Sequence, residues 1–573
     1  MRRFFFSLLL SLSLAAGTAI AARSLDGSEE LLPRGFTAGE LSRTHEIGTY
    51  VVRTAPPPAG TRNPAEYEPM TGVLVRWPLG VPYELLDSIS AHSKLWMVVA
   101  SSQQAACQAG LAANGVTMGN VGYVTATTNS IWTRDYGPWF VMKPDGRQGI
   151  FDFAYNRPRP QDDSVPVKLG AAWSLPVYSS ALVHTGGNYM SGGHGQSMST
   201  QLVYDENVNS SAWVDSQMLQ YLGVSDYVTM MDPQASYINH IDCWAKILSP
   251  AKVLVLQVPP SNGDHDSLEA AAAYLATLPN HYGTNWEVVR VFSGGTEGYT
   301  NSVILNNYVF VPVWNTANDA AALQTYRDAL PGYHIVGNYY GGSSGYLNTD
   351  AIHCRAMGVT DSAMLCIDHT PVASPQPAGT PVVITALIRC HPNFMLTSHA
   401  CHYRFGTSGA FDSLSMSPAG SDSFSTAIPG TIPGDTVEYY ISATDNSGRA
   451  EQQPRFAPAT WCHRYVAAAT GVAHGPSAMT GISTGRMKAA PNPCERGTMI
   501  QYQLAKTGPV RLAVYNGAGQ LVRTLVRGVV SEGQHAVRWD GRNDIGAAIS
   551  SGVYFVSLRS GTAAQRLRLV VVK

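Results

Sequence analysis

Ile131-Trp132-Thr133-Arg134-Asp135-Tyr136-Gly137-Pro138-Trp139 sets one carboxylate, Asp135, immediately before a Gly-Pro turn. Alone, that aspartate would cap or brace the turn. Two distant stretches change the reading: Tyr237-Ile238-Asn239-His240-Ile241-Asp242-Cys243-Trp244 and Asp350-Ala351-Ile352-His353-Cys354-Arg355. Together the three offer two carboxylates, a histidine and a thiol. That set suits a guanidinium, a planar cation whose N–H fork fits carboxylates bidentately. The central carbon of a guanidinium is a poor electrophile, so its hydrolysis needs a strong nucleophile and a firm hold on the cation. A cysteine thiolate supplies the nucleophile, and two aspartates supply the hold. A histidine can protonate departing ammonia and then draw a proton from water. Cys354, Asp135, Asp242 and His240 fit these roles, and His240 and Asp242 face the same side of an extended segment.

Each residue also has a plainer role. A cysteine such as Cys354 often packs as a small hydrophobe, Asp242 could be a buried polar group, and a lone histidine is more often structural. His240, Asp242, His353 and Cys354 are zinc-ligand types as well, but their spacing matches no compact zinc motif. One tension is physical. Two neighbouring carboxylates raise a thiol's pKa, and a cationic histidine or the substrate's own charge would have to offset them.

With Phe153-Ala154-Tyr155-Asn156-Arg157-Pro158-Arg159-Pro160, His184-Thr185-Gly186-Gly187-Asn188-Tyr189-Met190 and Tyr299-Thr300-Asn301-Ser302 added, the region from about Tyr67 to Cys366 resembles a known family. It is similar to the Porphyromonas-type peptidyl-arginine deiminases and, more broadly, to agmatine deiminases and other guanidino-modifying enzymes. The resemblance implies an α/β catalytic domain built as a five-bladed α/β-propeller with the site on its axis. It implies no metal, calcium or other cofactor. It adds Asn301 to the catalytic group; Trp132 could pack against the substrate's aliphatic stem and Tyr237 could reach its backbone, with a structural role the alternative for each.

Arg157 and Arg159 bear on the substrate. Pro158 and Pro160 favour an extended backbone on which both arginines project to one side, and paired guanidiniums can clamp a carboxylate. In the resembling deiminases the matching arginines bind the free α-carboxylate of a C-terminal arginine. The alternative is pairing with Asp162 and Asp163 in a surface loop. Agmatine deiminases typically carry glutamate before the Gly-Gly pair, where this chain has Thr185. The reading is therefore a peptidyl-arginine deiminase acting on peptides or proteins with C-terminal arginine. The alternatives are an agmatine or free-arginine deiminase, or an inactive surface binding protein.

Residues 1–22 have the basic start, apolar run and small-residue end of a secretory signal peptide. Residues 23–57 read as a propeptide or flexible lead-in, and 58–370 as the catalytic domain, with alternating β-like and helical runs. No clean internal repeat is visible. Short strands separated by Gly, Pro and Ser predict an immunoglobulin-like β-sandwich over 371–468. A linker over 469–488 leads to a last β-sandwich, 489–573, which resembles the C-terminal sorting domain of type IX secretion cargo. That resemblance implies the type IX machinery as a partner and attachment to the bacterial outer surface. Only 14% of residues are charged and Gly (54) and Pro (35) abound, as in a turn-rich secreted protein. A formal net charge of -2 gives no electrostatic reason to bind nucleic acid. Eight cysteines show no regular framework, and Cys390–Cys401 is the expected bridge.

Overall fold

A computed structural model describes residues 31–234, 238–341, 345–347, 350–468, 487–494, 497–504, 507–516, 521–543, 547–560 and 563–572. The signal peptide, Tyr237 and most of the 469–488 linker lie outside them. The chain forms two compact units, 1–468 and 469–573.

The catalytic region contains five small sheets of one topology. In each, an antiparallel strand pair is followed by a helical crossover to a parallel strand. The first module comprises Trp139–Met142, Gln148–Tyr155 and Val177–His184. The second comprises Met190–Ser191, Gln196–Thr200 and Asp226–Met230. The third comprises Ala245–Ser249, Lys252–Gln257 and Glu287–Phe292. The fourth comprises Val303–Leu305, Tyr308–Val313 and His334–Tyr339. The fifth joins distant parts of the chain: Met357–Thr360 pairs antiparallel with Met70–Arg76, which runs parallel to Lys94–Val99, and Val121–Thr125 is added outside.

Local sequence explains these pieces. Lys252–Gln257 (KVLVLQ) has Val253, Leu254 and Val255 fully buried, the near-continuous apolar run of a strand covered on both faces. Its crossover helix, His265–Leu275, buries Leu268, Ala272 and Leu275, an i, i+4, i+7 stripe. The repeat escaped the sequence reading because it is topological. The first strand of a module varies from two residues (Met190–Ser191) to five (Ala245–Ser249), so no fixed period survives.

Four modules are led by a short helical turn: Thr133–Tyr136, Gly186–Asn188, Ile241–Cys243 and Ile352–Arg355. The fourth module is led by the turn at Tyr299-Thr300, next to Asn301. These leading turns carry Asp135, Gly187, Asp242, Asn301 and Cys354. The topology thus delivers one site residue per module.

The sandwich begins earlier than expected, because Cys366–Asp368 already pairs with Val382–Arg389. Its second sheet centres on Thr436–Asp445 and Leu396–Phe405. It packs on the catalytic region through Arg449, whose guanidinium donates to both oxygens of Asp361 at 2.7 and 2.8 Å. Cys390 and Cys401 are not bridged, and all eight cysteines are free. Cys401 points into the sandwich core from the second sheet, whereas Cys390 follows a strand of the first and faces the Phe394 carbonyl. The 469–573 unit is itself a two-sheet sandwich of three and four strands around Trp539, Leu512 and Val556.

Residues 31–57 are not a flexible lead-in. Ala38–Leu41 is a helical turn with a reciprocal capping box between Thr37 and Glu40, and the segment before it runs into the site described next.

Candidate active site

The leading turns bring Asp135, His240, Asp242, Asn301 and Cys354 together, each 2% exposed or less. The Cys354 sulfur lies 3.5 Å from Asp242 Oδ2 and accepts from Asn301 Nδ2 at 3.2 Å. Asn301 also fixes the backbone at Cys354, since its Oδ1 accepts from the Ala351 and Cys354 amides at 3.0 and 3.2 Å. Its role is therefore to position the turn that carries the thiol.

Asp135 Oδ1 accepts from the Gly187 amide at 3.1 Å and stands 3.7 Å from His240 Nδ1. Neither ring nitrogen of His240 has a hydrogen-bond partner among the described residues. Glycine at 187 makes this convergence feasible. A Cβ there would lie 2.6 Å from both Asp135 Oδ1 and His240 Nδ1, closer than real contacts allow.

The two aspartates are tuned apart. Burial, and then the Asp242 charge, push Asp135 up to about 7. Burial opposes charge on Asp242, but the His353 hydrogen bond at 2.8 Å, the charges of His353 and His240 and the Cys354 hydrogen bond together hold it below its ordinary value. Burial drives His240 down to about 3, so its ring is neutral. The Cys354 thiol is pushed well above the usual range by burial, then by Asp242, Asp350 and Asp135.

A second line of polar groups escaped the sequence reading. His353 Nδ1 meets Asp242 and its Nε2 meets Glu66 at 3.0 Å, while Glu66 pairs with Arg134 at 2.9 Å and Lys246 at 2.5 Å. Burial, then the Arg134 and Lys246 charges, hold His353 below its ordinary value against the opposing pull of Glu66 and Asp242. Glu66 sits one residue before the resembling region, and His353 was weighed only as a neighbour of Cys354 and as a zinc-ligand type. Alternation alone gave neither a role.

Arg157 and Arg159 are not in a surface loop, being 5% and 1% exposed. Asp162 and Asp163 are occupied elsewhere, by Ser130 Oγ at 2.6 Å and the Tyr155 amide at 2.7 Å. The arginines face residues 33–40 instead. Arg159 forms a two-pronged ion pair with Glu40 at 2.7 and 3.2 Å and donates to the Pro33 and Gly35 carbonyls. Arg157 donates to the Arg34 carbonyl at 3.1 Å and lies over the Phe36 ring. Trp132 donates to the Leu32 carbonyl at 3.0 Å, and Leu31 packs against the small apolar cluster of Ile131, Trp132 and Cys354.

Residues 62–358, more than half of the chain, match the model of the Porphyromonas-type peptidyl-arginine deiminases. The chain belongs to that family. This deiminase is 23% identical over 367 residues to an Enterococcus faecalis protein described as an agmatine deiminase, covering 53% of this chain and 97% of the relative. A Shewanella frigidimarina protein of the same description is 24% identical, with 50% and 90% covered. A crystal structure described as an agmatine deiminase shares the fold at a TM-score of 0.50 and 19% identity, covering 55% of this chain and 99% of its own. Residues 496–564 match the FlgD Ig-like domain. The deiminase is thus a guanidino-modifying hydrolase acting on C–N bonds, its site made of side chains from four leading turns and the Gly187 backbone of the fifth.

Proposed function

We propose that this deiminase converts C-terminal arginine of peptides to citrulline and ammonia. The observation that carries the reading is Arg159, a buried guanidinium at the site that already holds a carboxylate, that of Glu40. A substrate's α-carboxylate is the same chemical group, and Arg157 stands beside Arg159 on a tight turn closed by the Arg159 amide's hydrogen bond to the Arg157 carbonyl at 2.7 Å. Thr185, fully buried, leaves no acid before Gly186 for an amine tail, which disfavours agmatine.

In the mechanism Asp135 and Asp242 grip the guanidinium and place its carbon against Cys354. The incoming positive charge stabilises the thiolate, whose proton passes to neutral His240. The sulfur then attacks the carbon, His240 returns the proton to an amino group, and ammonia leaves a thiouronium on Cys354. Water gives a proton to His240 and its oxygen bonds the carbon. The C–S bond then breaks, releasing the ureido product and restoring the thiol. The five like sheets support a five-bladed arrangement around this site. The N-terminal signal pattern and the FlgD-like unit support export by the type IX route with attachment at the outer surface.

The test is citrulline release, with chelator present, from an Arg-terminated peptide, its C-terminally amidated form and agmatine. Turnover of the free-acid peptide alone is expected. Preference for agmatine assigns the chain to the small-molecule branch, and no turnover of any substrate overturns the catalytic reading.

A further inference from the structure

We infer that Leu31–Leu41 is an internal occupant of the peptide groove, one that keeps the enzyme closed until the segment is cut away or displaced. The inference rests on the proposed peptide substrate and sharpens it. Four successive carbonyls, from Leu32 to Gly35, accept hydrogen bonds from Trp132, Arg159, Arg157 and again Arg159. All four contacts are to main chain, so the groove reads a peptide backbone, here bent at Arg34-Gly35, whatever its side chains. A substrate lying there would be recognised the same way up to its terminal arginine.

The occupant also blocks the chemistry. Leu31 packs against the cluster that contains Cys354, and the Arg34 charge is close enough to His240 to weigh against its protonation. Glu40 fills the carboxylate-binding face of Arg159, and the capping box with Thr37 holds it there. Phe36 covers Arg157. The two side chains assigned to a substrate carboxylate are therefore both taken.

The chain beyond the occupant is arranged for release. Leu41, Tyr50 and Val52 are 57%, 45% and 81% exposed. At Thr54 the chain is anchored again, its amide on the Ser179 carbonyl at 2.9 Å and its carbonyl on the Tyr221 hydroxyl at 2.8 Å. A cut between Leu41 and Thr54 leaves the fold intact and the occupant held only by its own contacts. Loop segments of this kind are where proteases nick folded proteins.

The experiment compares the full chain with its Phe36→Ala/Glu40→Ala form. Two rates are measured: alkylation of Cys354 by iodoacetamide, followed by peptide mass mapping, and citrulline release from an Arg-terminated peptide. If the groove is closed most of the time, both rates scale with the open fraction. A rise of about tenfold or more is expected in both, because tenfold corresponds to losing only ~1.4 kcal/mol of occupant binding. Brief proteolysis of the unaltered chain between residues 41 and 54 should give the same rise, which guards against a misfolded variant. Equal alkylation before and after either treatment overturns the inference, whatever the citrulline result. Faster alkylation without citrulline from any substrate leaves the occupied groove standing and sinks the deiminase reading instead.

Discussion

Asp242 Oδ2 sits 3.5 Å from the Cys354 sulfur and also accepts the His353 hydrogen bond, so the site's ionised carboxylate faces its own nucleophile. Without a cation this contact favours the thiol. The neutral His240 cannot supply the missing charge, which answers the tension raised by the sequence: the substrate must bring it.

Thiolate formation should therefore follow binding. In the occupant-free enzyme, ultraviolet thiolate absorbance at neutral pH should be near zero and should rise when a non-hydrolysable guanidinium compound is added. A full thiolate signal in the ligand-free enzyme would contradict this order of events. Cys354→Ser should abolish turnover with the unfolding temperature kept.

Asp135→Asn should trade activity for stability. Asp135 has an ordinary value of 3.8 and is raised to about 7 in the fold. The native state therefore holds a proton that the unfolded state releases, and stability falls as pH rises from about 4 to about 7. The shift corresponds to an effect on the order of a few kcal/mol. The asparagine variant should lose this pH slope and melt higher than the parent above pH ~7, while kcat/KM falls by about a hundredfold or more. Melting curves across pH decide the first part, and an unchanged slope refutes it.

Glu66→Gln should be costly without touching substrate. It leaves Lys246 and Arg134 buried beside a neutral group, and breaking such a pair typically costs about 3–5 kcal/mol. Burial already lowers Lys246 to about 8, so part of that loss is relieved by its deprotonation. Denaturant melts should show the destabilisation. The kcat of the folded fraction should also fall, with KM little changed, because His353 loses one of its two carboxylates.

Gly187→Ala tests the packing of the cation's binding site. The new methyl would occupy the space of Asp135 Oδ1 and His240 Nδ1. Overpacking of this sort costs about 1–3 kcal/mol when neighbours must shift. Turnover should drop sharply while the circular dichroism spectrum is kept. Parent-like kinetics would show that both side chains can move aside freely.

Much of this site was legible because chemistry names its own residues. Asp135, His240, Asp242 and Cys354 are the types a guanidinium hydrolase needs, and they fall in short stretches with recognisable neighbours. Gly187 was quoted but not understood, since its contribution is an absent side chain. Glu66 and Lys246 were invisible because a buried ion pair looks like ordinary surface charge until the fold encloses it. Arg157 and Arg159 were assigned to a substrate carboxylate, and no sequence pattern revealed that Glu40 pairs with Arg159 while Arg157 meets main-chain carbonyls and the Phe36 ring. The expected Cys390–Cys401 bridge failed because nearness in sequence says nothing about which sheet each thiol joins.

The pairing of Met357–Thr360 with Met70–Arg76 has one last consequence. The strand that completes the fifth sheet leaves directly from the turn bearing Cys354, so the earliest and latest parts of the catalytic region must meet before the nucleophile is seated. A chain still emerging from the ribosome, or one halted before residue 357, has every carboxylate of the site but no reactive sulfur in register. Placement of the thiol therefore depends on both ends of the catalytic region, a requirement separate from clearing the groove.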